Sequence, residues 1–183
     1  MSKKSSIVLA LLSSTAILSA GDTSSYLSAI VGSFDYDKKV YGDIDGYEVR
    51  YQKISNSSTT GIGYTWLKEV TDNNFLLGVS PQLLFADGSF FDGGVSSVSF
   101  LAGKSFGKFK LYGNFGYGIN SLSEYTVSIG ANYGLTARYD IAQHFSMAFS
   151  YNIYDMEIGT EENHNPTGSY TIKGLNGSVS YKF

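Results

Sequence analysis

Residues 124–139 read EYTVSIGANYGLTARY, and this stretch decides the fold. Apolar or small side chains alternate with polar side chains and glycines along its whole length. Successive side chains of a β-strand point to opposite faces, so the stretch predicts one strand with an apolar face and a polar face. At ~3.3 Å per residue the strand would be roughly 50 Å long. Strands of about 5–6 residues are usual in soluble proteins, so a small soluble sandwich accommodates this one poorly.

The same alternation recurs along the chain. With residues 124–139 it gives nine candidate strands, and a closed membrane barrel has an even number. We therefore predict eight strands, with one candidate demoted, and keep ten as the alternative. Pro81 lies inside one candidate and lacks a backbone N–H, which predicts a β-bulge there. The other eight candidates are residues 26–36, 47–53, 61–68, 75–85, 95–106, 109–119, 145–154 and 175–183.

Composition narrows the class of protein. The 183 residues are enough for one domain. The net charge of −3 provides no basic surface, which argues against a nucleic-acid partner. The chain has 15 Tyr, 12 Phe and 21 Gly but only 2 Pro, a balance typical of β structure. Without Cys there is no disulfide framework and no thiolate metal site.

The amino end predicts a signal peptide. MSKK is a short basic segment, IVLALL is apolar, and AILSA is a small-residue approach to a cleavage site. We place cleavage after Ala20, so that residues 1–20 are removed and residues 21–183 form the barrel domain. A membrane anchor is the alternative, but the apolar run is too short and Ser13, Ser14 and Thr15 interrupt it.

Two architectures fit alternating strands. The apolar faces meet in the core of a soluble sandwich, whereas in a transmembrane barrel they face lipid and the polar faces fill the lumen. The signal peptide, the long strands and the aromatic residues near strand ends favour the barrel. Residues 71–74, 106–108 and 140–144 read as short turns. Longer polar loops are predicted at residues 55–60, 86–94 and 159–168, which places the carboxyl end on the periplasmic side.

These features resemble a known family. The signal, the alternating Tyr/Gly strands, the stretch ARYDIAQHFSMAFSYNIY and the final VSYKF are similar to the small outer-membrane β-barrels of Gram-negative bacteria, of the OmpX and OmpA-membrane-domain type. The resemblance covers residues 26–183. It implies an all-β, closed, antiparallel up-and-down transmembrane barrel in the outer membrane, with surface proteins, adhesins and enzymes among its relatives.

The resemblance also implies partners. The last strand of such barrels carries an assembly signal, and here Val179, Tyr181 and Phe183 match it. We expect the barrel-assembly machinery and periplasmic chaperones as partners during biogenesis. Outer-membrane lipid and lipopolysaccharide are the expected partners of the folded chain, which we expect to be a monomer.

The polar face predicts what fills the lumen. Glu48, Arg50, Lys110 and Arg138 fall on the inward side. An eight-stranded barrel has an interior just wide enough for side chains, so we interpret these four residues as an internal charge network. A narrow ion path is the alternative.

The sequence gives only weak indications of a catalytic site or a metal site. His144 and Ser146 form an H-x-S that resembles the pair of barrel lipid A deacylases, but Met147 stands where that family has Asn, and no acid is placed to orient the histidine. Glu161, Glu162, His164 and Asn165 read as a solvated loop rather than as a metal site. We expect no enzyme, no cofactor and no metal. The predicted role is envelope structure or surface interaction, with a lipid-modifying enzyme as the alternative.

Overall fold

A computed structural model of the chain describes residues 23–40, 50–70, 74–86, 94–123, 126–160 and 163–183. Within those ranges the side chains of residues 38–40, 50–56, 86, 121–123, 126–127, 158–160 and 163–168 are outside the description. The predicted signal peptide, residues 1–20, is also outside the described residues. No helix in the described ranges is long and apolar enough to cross a membrane.

The described chain forms one closed antiparallel barrel of eight strands, in which each strand pairs with the next and β8 pairs with β1. This confirms the predicted fold class and the count of eight rather than ten. The strands are β1 (Thr23–Val40), β2 (Arg50–Val70), β3 (Phe75–Ala86), β4 (Gly94–Phe106), β5 (Phe109–Ser123), β6 (Thr126–Asp140), β7 (Phe145–Thr160) and β8 (Asn163–Lys182).

The register fixes the slope of the strands. A walk around the barrel through cross-strand partners starts at Lys104 and returns to β4 at Gly94, ten residues away. With strands ~4.8 Å apart and a rise of ~3.3 Å per residue, that stagger corresponds to a strand tilt of roughly 40°. The partners on the way are Leu111, Ala137, Phe149, Gly177, Val31, Thr60 and Phe85.

The two faces of the wall differ as a transmembrane barrel requires. Along β3 the outward side chains from Phe75 to Phe85 are all apolar, and those two residues are exposed. Ten steps along a strand tilted by roughly 40° span about 25 Å, the height of a lipid-facing band. Between them, Leu76, Ser80 and Leu84 point inward and are buried. The apolar surface therefore faces the surroundings, and the inward face fills the bore.

The eight-versus-nine strand count is explained by β2. Residues 50–53 and 61–68 belong to one strand, and residues 55–60 are not a loop: β2 runs unbroken from Arg50 to Val70, while residues 47–49 lie outside the described residues. It pairs with β1 up to Val40↔Arg50, with a register shift between Phe34 and Tyr36. The small polar residues that suggested a loop continue the strand beyond the apolar band, where neither face has to be apolar.

The predicted loop at residues 159–168 is also wrong for residues 159–160 and 163–168, and residues 161–162 lie outside the described residues. Strand β7 extends to Thr160 and β8 begins at Asn163, with Gly159 opposite Pro166. Register shifts occur at this hairpin. The predicted loop at 86–94 lies between strands, since β3 ends at Ala86 and β4 begins at Gly94; residues 87–93 are outside the described residues.

Pro81 causes no bulge. The β3–β4 register is continuous through Pro81↔Val98, and the β2–β3 register is the same on both sides of it. Proline cannot donate a ladder hydrogen bond, which would leave the facing Tyr64 carbonyl without a donor. The Ser80 hydroxyl donates to that carbonyl at 3.2 Å instead. This local replacement lets the proline stay in a regular strand.

The two ends of the barrel differ. One end carries the connections β2–β3, β4–β5 and β6–β7 together with both ends of the described chain, and we call it the turn end. The β4–β5 turn has two residues, with Gly107 at φ +69°, the pattern of a type II′ hairpin that favours glycine first. At the opposite end, the loop end, β1, β2, β7 and β8 extend well past β3 and β4.

Candidate functional site: the charged cluster in the lumen

The lumen is filled with side chains in three layers. Toward the loop end lies a group of buried apolar and aromatic residues, which we call the loop-end plug. Toward the turn end lies a second group, the turn-end plug, formed by Tyr26, Leu67, Leu76, Leu101 and Tyr112. The loop-end plug consists of Ile30, Phe34, Tyr36, Leu84, Val95, Tyr154, Met156, Tyr170 and Ile172.

Between the plugs lies a polar waist. It contains a small cavity of about 30 Å³, bordered by Thr65, Ser80, Gln82, Ser99 and Arg138 among others. A cavity of this volume holds one or a few water molecules. The described lumen along this section therefore has room for a few waters and not for a wide aqueous column.

A charged cluster sits at the turn end beside the plug. We define the lumen cluster as Tyr26, Lys110, Arg138, Asp140 and Lys182. The Lys110 Nζ donates to Asp140 Oδ2 at 2.7 Å, and the Lys182 Nζ donates to the same oxygen at 3.0 Å. The side chains of Lys110 and Asp140 are 7% and 10% exposed. One nearly buried carboxylate therefore holds two ammonium groups.

The strand pattern explains why the acid is needed. Lys110 and Arg138 are direct cross-strand partners, both pointing inward, and like charges in that position repel each other. Asp140 lies two residues beyond Arg138 on the same inward face of β6, within reach of Lys110 on the neighbouring strand β5. The carboxylate draws the lysine toward the turn end and so separates the two positive groups.

Arg138 is held by neutral groups. Its Nε donates to the Tyr112 hydroxyl at 3.2 Å, and its Nη1 donates to Ser146 Oγ at 2.8 Å and Ser180 Oγ at 2.9 Å. Its guanidinium carbon lies 4.2 Å from the centre of the Tyr26 ring. A desolvated cation over an aromatic face is stabilised by the ring electrons. Hydroxyls and the ring together hold this buried charge in place of a carboxylate.

The two serines that accept hydrogen bonds from Arg138 belong to a row of serines on neighbouring strands. Ser146 on β7, Ser180 on β8 and Ser28 on β1 occupy successive partner positions. Ser28 and Ser180 share a hydrogen bond of 2.7 Å. The arginine is therefore tied to β6, β7 and β8, and through Ser28 to β1, so the cluster spans the seam where the barrel closes.

The predicted charge network is brought together only in part. Lys110 and Arg138 point into the lumen and are buried. Glu48 lies outside the described residues, as does the side chain of Arg50, so the network as predicted stays a prediction. The sequence predicts Asp140 in a turn, and its pattern does not indicate Tyr26 and Lys182 as members. The signal that could have found Asp140 is its spacing of two from Arg138 on the same strand face.

The structure does not place the His144 ring beside the Ser146 hydroxyl. The His144 ring stacks on Tyr181 with centroids 5.6 Å apart, and its Nδ1 is 3.1 Å from the Lys182 carbonyl oxygen. That ring is exposed at the turn, whereas Ser146 is buried in the lumen and its hydroxyl accepts from Arg138. The two side chains lie on opposite sides of the barrel wall, so the histidine is not positioned to activate the serine.

Metal ligands are not assembled in the part of the chain that the structure describes, where no group of three or more His, Asp or Glu residues is placed to hold an ion. Of the loop residues considered as ligands, Glu161 and Glu162 lie outside the described residues. The side chains of His164 and Asn165 are outside the description as well.

The predicted assembly residues form an outward row on β8. Val179, Tyr181 and Phe183 are all exposed. Tyr181 contacts Phe145 and Phe183 edge-on, with centroids 5.8 and 5.1 Å away. The Phe183 N–H donates to the Ser25 carbonyl on β1 at 3.0 Å. The row therefore lies at the closing seam, and its role as an assembly signal stays a prediction.

Comparisons with known proteins find similarity in overall structure. No protein-family model matches the sequence, and no curated protein matches it. Among solved structures, the attachment invasion locus protein Ail of Yersinia pestis is 16% identical, with a TM-score of 0.45, covering 86% of this chain and 98% of Ail. The outer membrane protease OmpT of Escherichia coli is 9% identical, with a TM-score of 0.44, covering 92% and 99%.

The outer membrane protein OprG of Pseudomonas aeruginosa is a third similar structure. It is 15% identical, with a TM-score of 0.40, covering 86% of this chain and 95% of OprG. Identities and scores this low give no basis for transferring a binding or catalytic role to this chain. The fold class rests on the strand topology described above.

Proposed function

We propose that the chain is an integral outer-membrane barrel of a Gram-negative cell, made with a removable signal peptide and acting without catalysis. Its lumen is closed, and the part beyond the lipid band serves surface interaction or envelope structure. The observation that carries this proposal is the division of side chains across one wall: a continuous apolar surface outside and two plugs inside. An apolar outer band of about 25 Å fits lipid, and a plugged bore does not fit a diffusion pore.

Membrane location is tested by fractionation and by gel mobility. The expected result is recovery of the chain with the outer membrane and a shift on SDS gels when the sample is heated, because a closed barrel resists detergent until its ladder melts. Recovery in the soluble periplasmic fraction, without a heat shift, would overturn the proposal.

Orientation follows from the connections. Membrane barrels have short periplasmic turns and longer parts outside, so we place the turn end in the periplasm.

The chain has no cysteine, so single cysteines can be introduced. With an impermeant thiol reagent on intact cells, Ser58→Cys at the loop end is expected to react and Lys108→Cys only after permeabilisation. The reverse pattern would overturn this orientation.

The surface role is supported by the strands beyond the lipid band. Strands β1 and β2 stay paired up to Val40↔Arg50, and on the neighbouring strands the exposed Asp155 accepts from Thr171 and Tyr133, each at 2.9 Å. We call the loop-end parts of β7, β8, β1 and β2 the raised sheet. Among its described side chains, the exposed Asp35, Ser58, Asp155 and Glu157 are polar, which suits contact with water and with macromolecules.

A shortened hairpin tests that role. Asp37 and Lys53 are cross-strand partners, so residues 38–52 can be replaced by a two-residue Asn-Gly turn that fits such a hairpin. The shortened chain is expected to remain heat-modifiable while adhesion of cells to host-type matrices or resistance of the envelope to detergent falls. If neither property changes in an inserted variant, the raised sheet has no such role.

A further inference from the structure

A groove crosses the outer surface in the turn-end half of the barrel. Its floor is Ala102 on β4 and Gly113 on β5, which are direct cross-strand partners. Two adjoining hollows of about 570 and 420 Å³ share these residues. We define the outer groove as this floor with the outward residues around it: Trp66, Phe75, Leu77, Phe100, Lys104, Phe106, Leu111, Phe115 and Leu135.

The groove results from two small residues placed side by side. Two residues along each strand toward the loop end, the next outward cross-strand pair is Phe100 and Phe115. Their side chains are 69% and 57% exposed and project from the wall. A Cβ added to Gly113 would meet no atom nearer than 3.7 Å. The hollow is therefore open space on the lipid-facing side and not a gap between strands.

One end of the groove carries positive charge. Lys104 is the next outward residue on β4 after Ala102, on the turn-end side, and it is exposed between its partners Phe75 and Leu111. Lys68 points outward at the same end of β2. By contrast, the exposed outward acids of the described strands, Asp35, Asp155 and Glu157, lie toward the loop end. The turn-end border of the apolar band is thus cationic beside the groove.

We propose that the outer groove binds one anionic glycerophospholipid from the leaflet at the turn end. An acyl chain lies over Ala102 and Gly113, and the headgroup phosphate meets the Lys104 ammonium. A lysine at this level can bury its stem and extend its charge to the interface. This inference rests on the proposed membrane location and adds a specific lipid site to it.

The charge decides between a lipid and a second copy of the chain as occupant. A neighbouring barrel packed into the groove would bury Lys104 against an apolar surface, and an unpaired charge is costly to bury. A single phospholipid molecule carries both an apolar chain and a phosphate, so it can contact the groove floor and Lys104 at the same time. The combination of apolar groove and terminal cation therefore fits the lipid.

The single tryptophan provides the measurement. Trp66 is the one Trp of the chain and lines the groove, so lipids brominated on an acyl chain quench its fluorescence when they occupy it. The full chain is reconstituted in phosphatidylcholine vesicles that contain brominated phosphatidylglycerol or, in parallel, brominated phosphatidylcholine. We expect the phosphatidylglycerol to bind about fivefold more tightly, the preference expected of one interfacial lysine.

Variants locate the site. Lys104→Gln should reduce the fivefold preference to near equality, and Lys104→Arg should keep it. Gly113→Leu should weaken quenching by both lipids by filling the floor. The matched control is Gly177→Leu, a small outward residue on the far side of the barrel, which should leave quenching unchanged. Heat-modifiability checks that each variant is folded.

The outcomes separate the two proposals. If both brominated lipids quench the wild-type chain equally, or if Lys104→Gln keeps the preference, the lipid site is refuted while the membrane barrel stands. If Gly113→Leu changes the oligomeric state of the chain instead of quenching, the groove is a contact between copies. If neither lipid quenches Trp66 at all, the membrane location itself fails.

Discussion

The Asp140 carboxylate on β6 accepts a hydrogen bond at 2.7 Å from the Lys110 ammonium on the neighbouring strand β5, near the turn end of the lumen. Both side chains are nearly excluded from solvent. A buried pair of this kind contributes little relative to an apolar pair, but removal of one partner leaves an unpaired charge behind. Here two lysines depend on the same acid, since Lys182 also donates to it.

Asp140→Asn should therefore destabilise the barrel. We expect a loss of about 3 kcal/mol in the free energy of unfolding, within the range for breaking a buried pair, measured by urea titration in lipid vesicles. Asp155→Asn is the matched control, because Asp155 is exposed at the loop end and its loss should cost below about 1 kcal/mol. Equal losses at the two positions would contradict a special role for Asp140.

Asp140 also shows where sequence reasoning loses information. Alternation assigned the faces of residues 109–119 and 145–154 correctly because lipid outside and a narrow lumen inside constrain every position. Asp140 stands where the strand meets the turn, and there the pattern does not say whether one more residue continues the ladder. Its reach to Lys110 and Lys182 depends on the stagger of strands distant in sequence, which a pattern within one strand cannot contain.

The loop-end errors have a second cause. Beyond the lipid band both faces of a strand can meet water, so no alternation is required. Residues 55–60 and 159–168 consequently read as loops, although the backbones of residues 55–60, 159–160 and 163–168 continue the ladders of β2, β7 and β8. The apolar part of the barrel could be predicted from sequence, whereas the height of the raised sheet could not.

The Ser80 hydroxyl should contribute more to the free energy of unfolding when its neighbour is Pro81 than when its neighbour has a backbone N–H. Ser80→Ala removes the donor to the Tyr64 carbonyl and should cost about 1–3 kcal/mol, the range for an unsatisfied buried acceptor. In a Pro81→Ala background the restored N–H can satisfy that carbonyl, so the same change should cost less. A double-mutant cycle measures the coupling, and a coupling of zero would contradict this role.

Gly103 and Gly113 should respond differently to the same change. A Cβ at Gly103 would press on the Leu111 carbonyl oxygen and on the Tyr112 Cα of the neighbouring strand, whereas a Cβ at Gly113 has open space. Gly103→Ala should therefore destabilise the barrel by about 1–3 kcal/mol through overpacking. Gly113→Ala should be nearly neutral by urea titration. A neutral Gly103→Ala would show that β4 and β5 separate easily.

Two plugs in series should make the barrel closed to ions unless both are opened. The Tyr26 side chain belongs to the turn-end plug and Tyr154 to the loop-end plug, and both are almost fully buried.

In planar bilayers we expect no steady conductance from the wild-type chain, from Tyr26→Ala or from Tyr154→Ala, because either remaining plug blocks the path. The double variant should show small current steps, since each change removes a large buried side chain from a plug and only the narrow polar waist with its small cavity then remains along the lumen. The control is Tyr117→Ala with Tyr151→Ala, two exposed residues on the outer wall, which should leave the bilayer silent. Current through the wild-type chain or through either single variant would mean that a path bypasses the plugs, and the narrow-channel alternative would then replace the closed barrel.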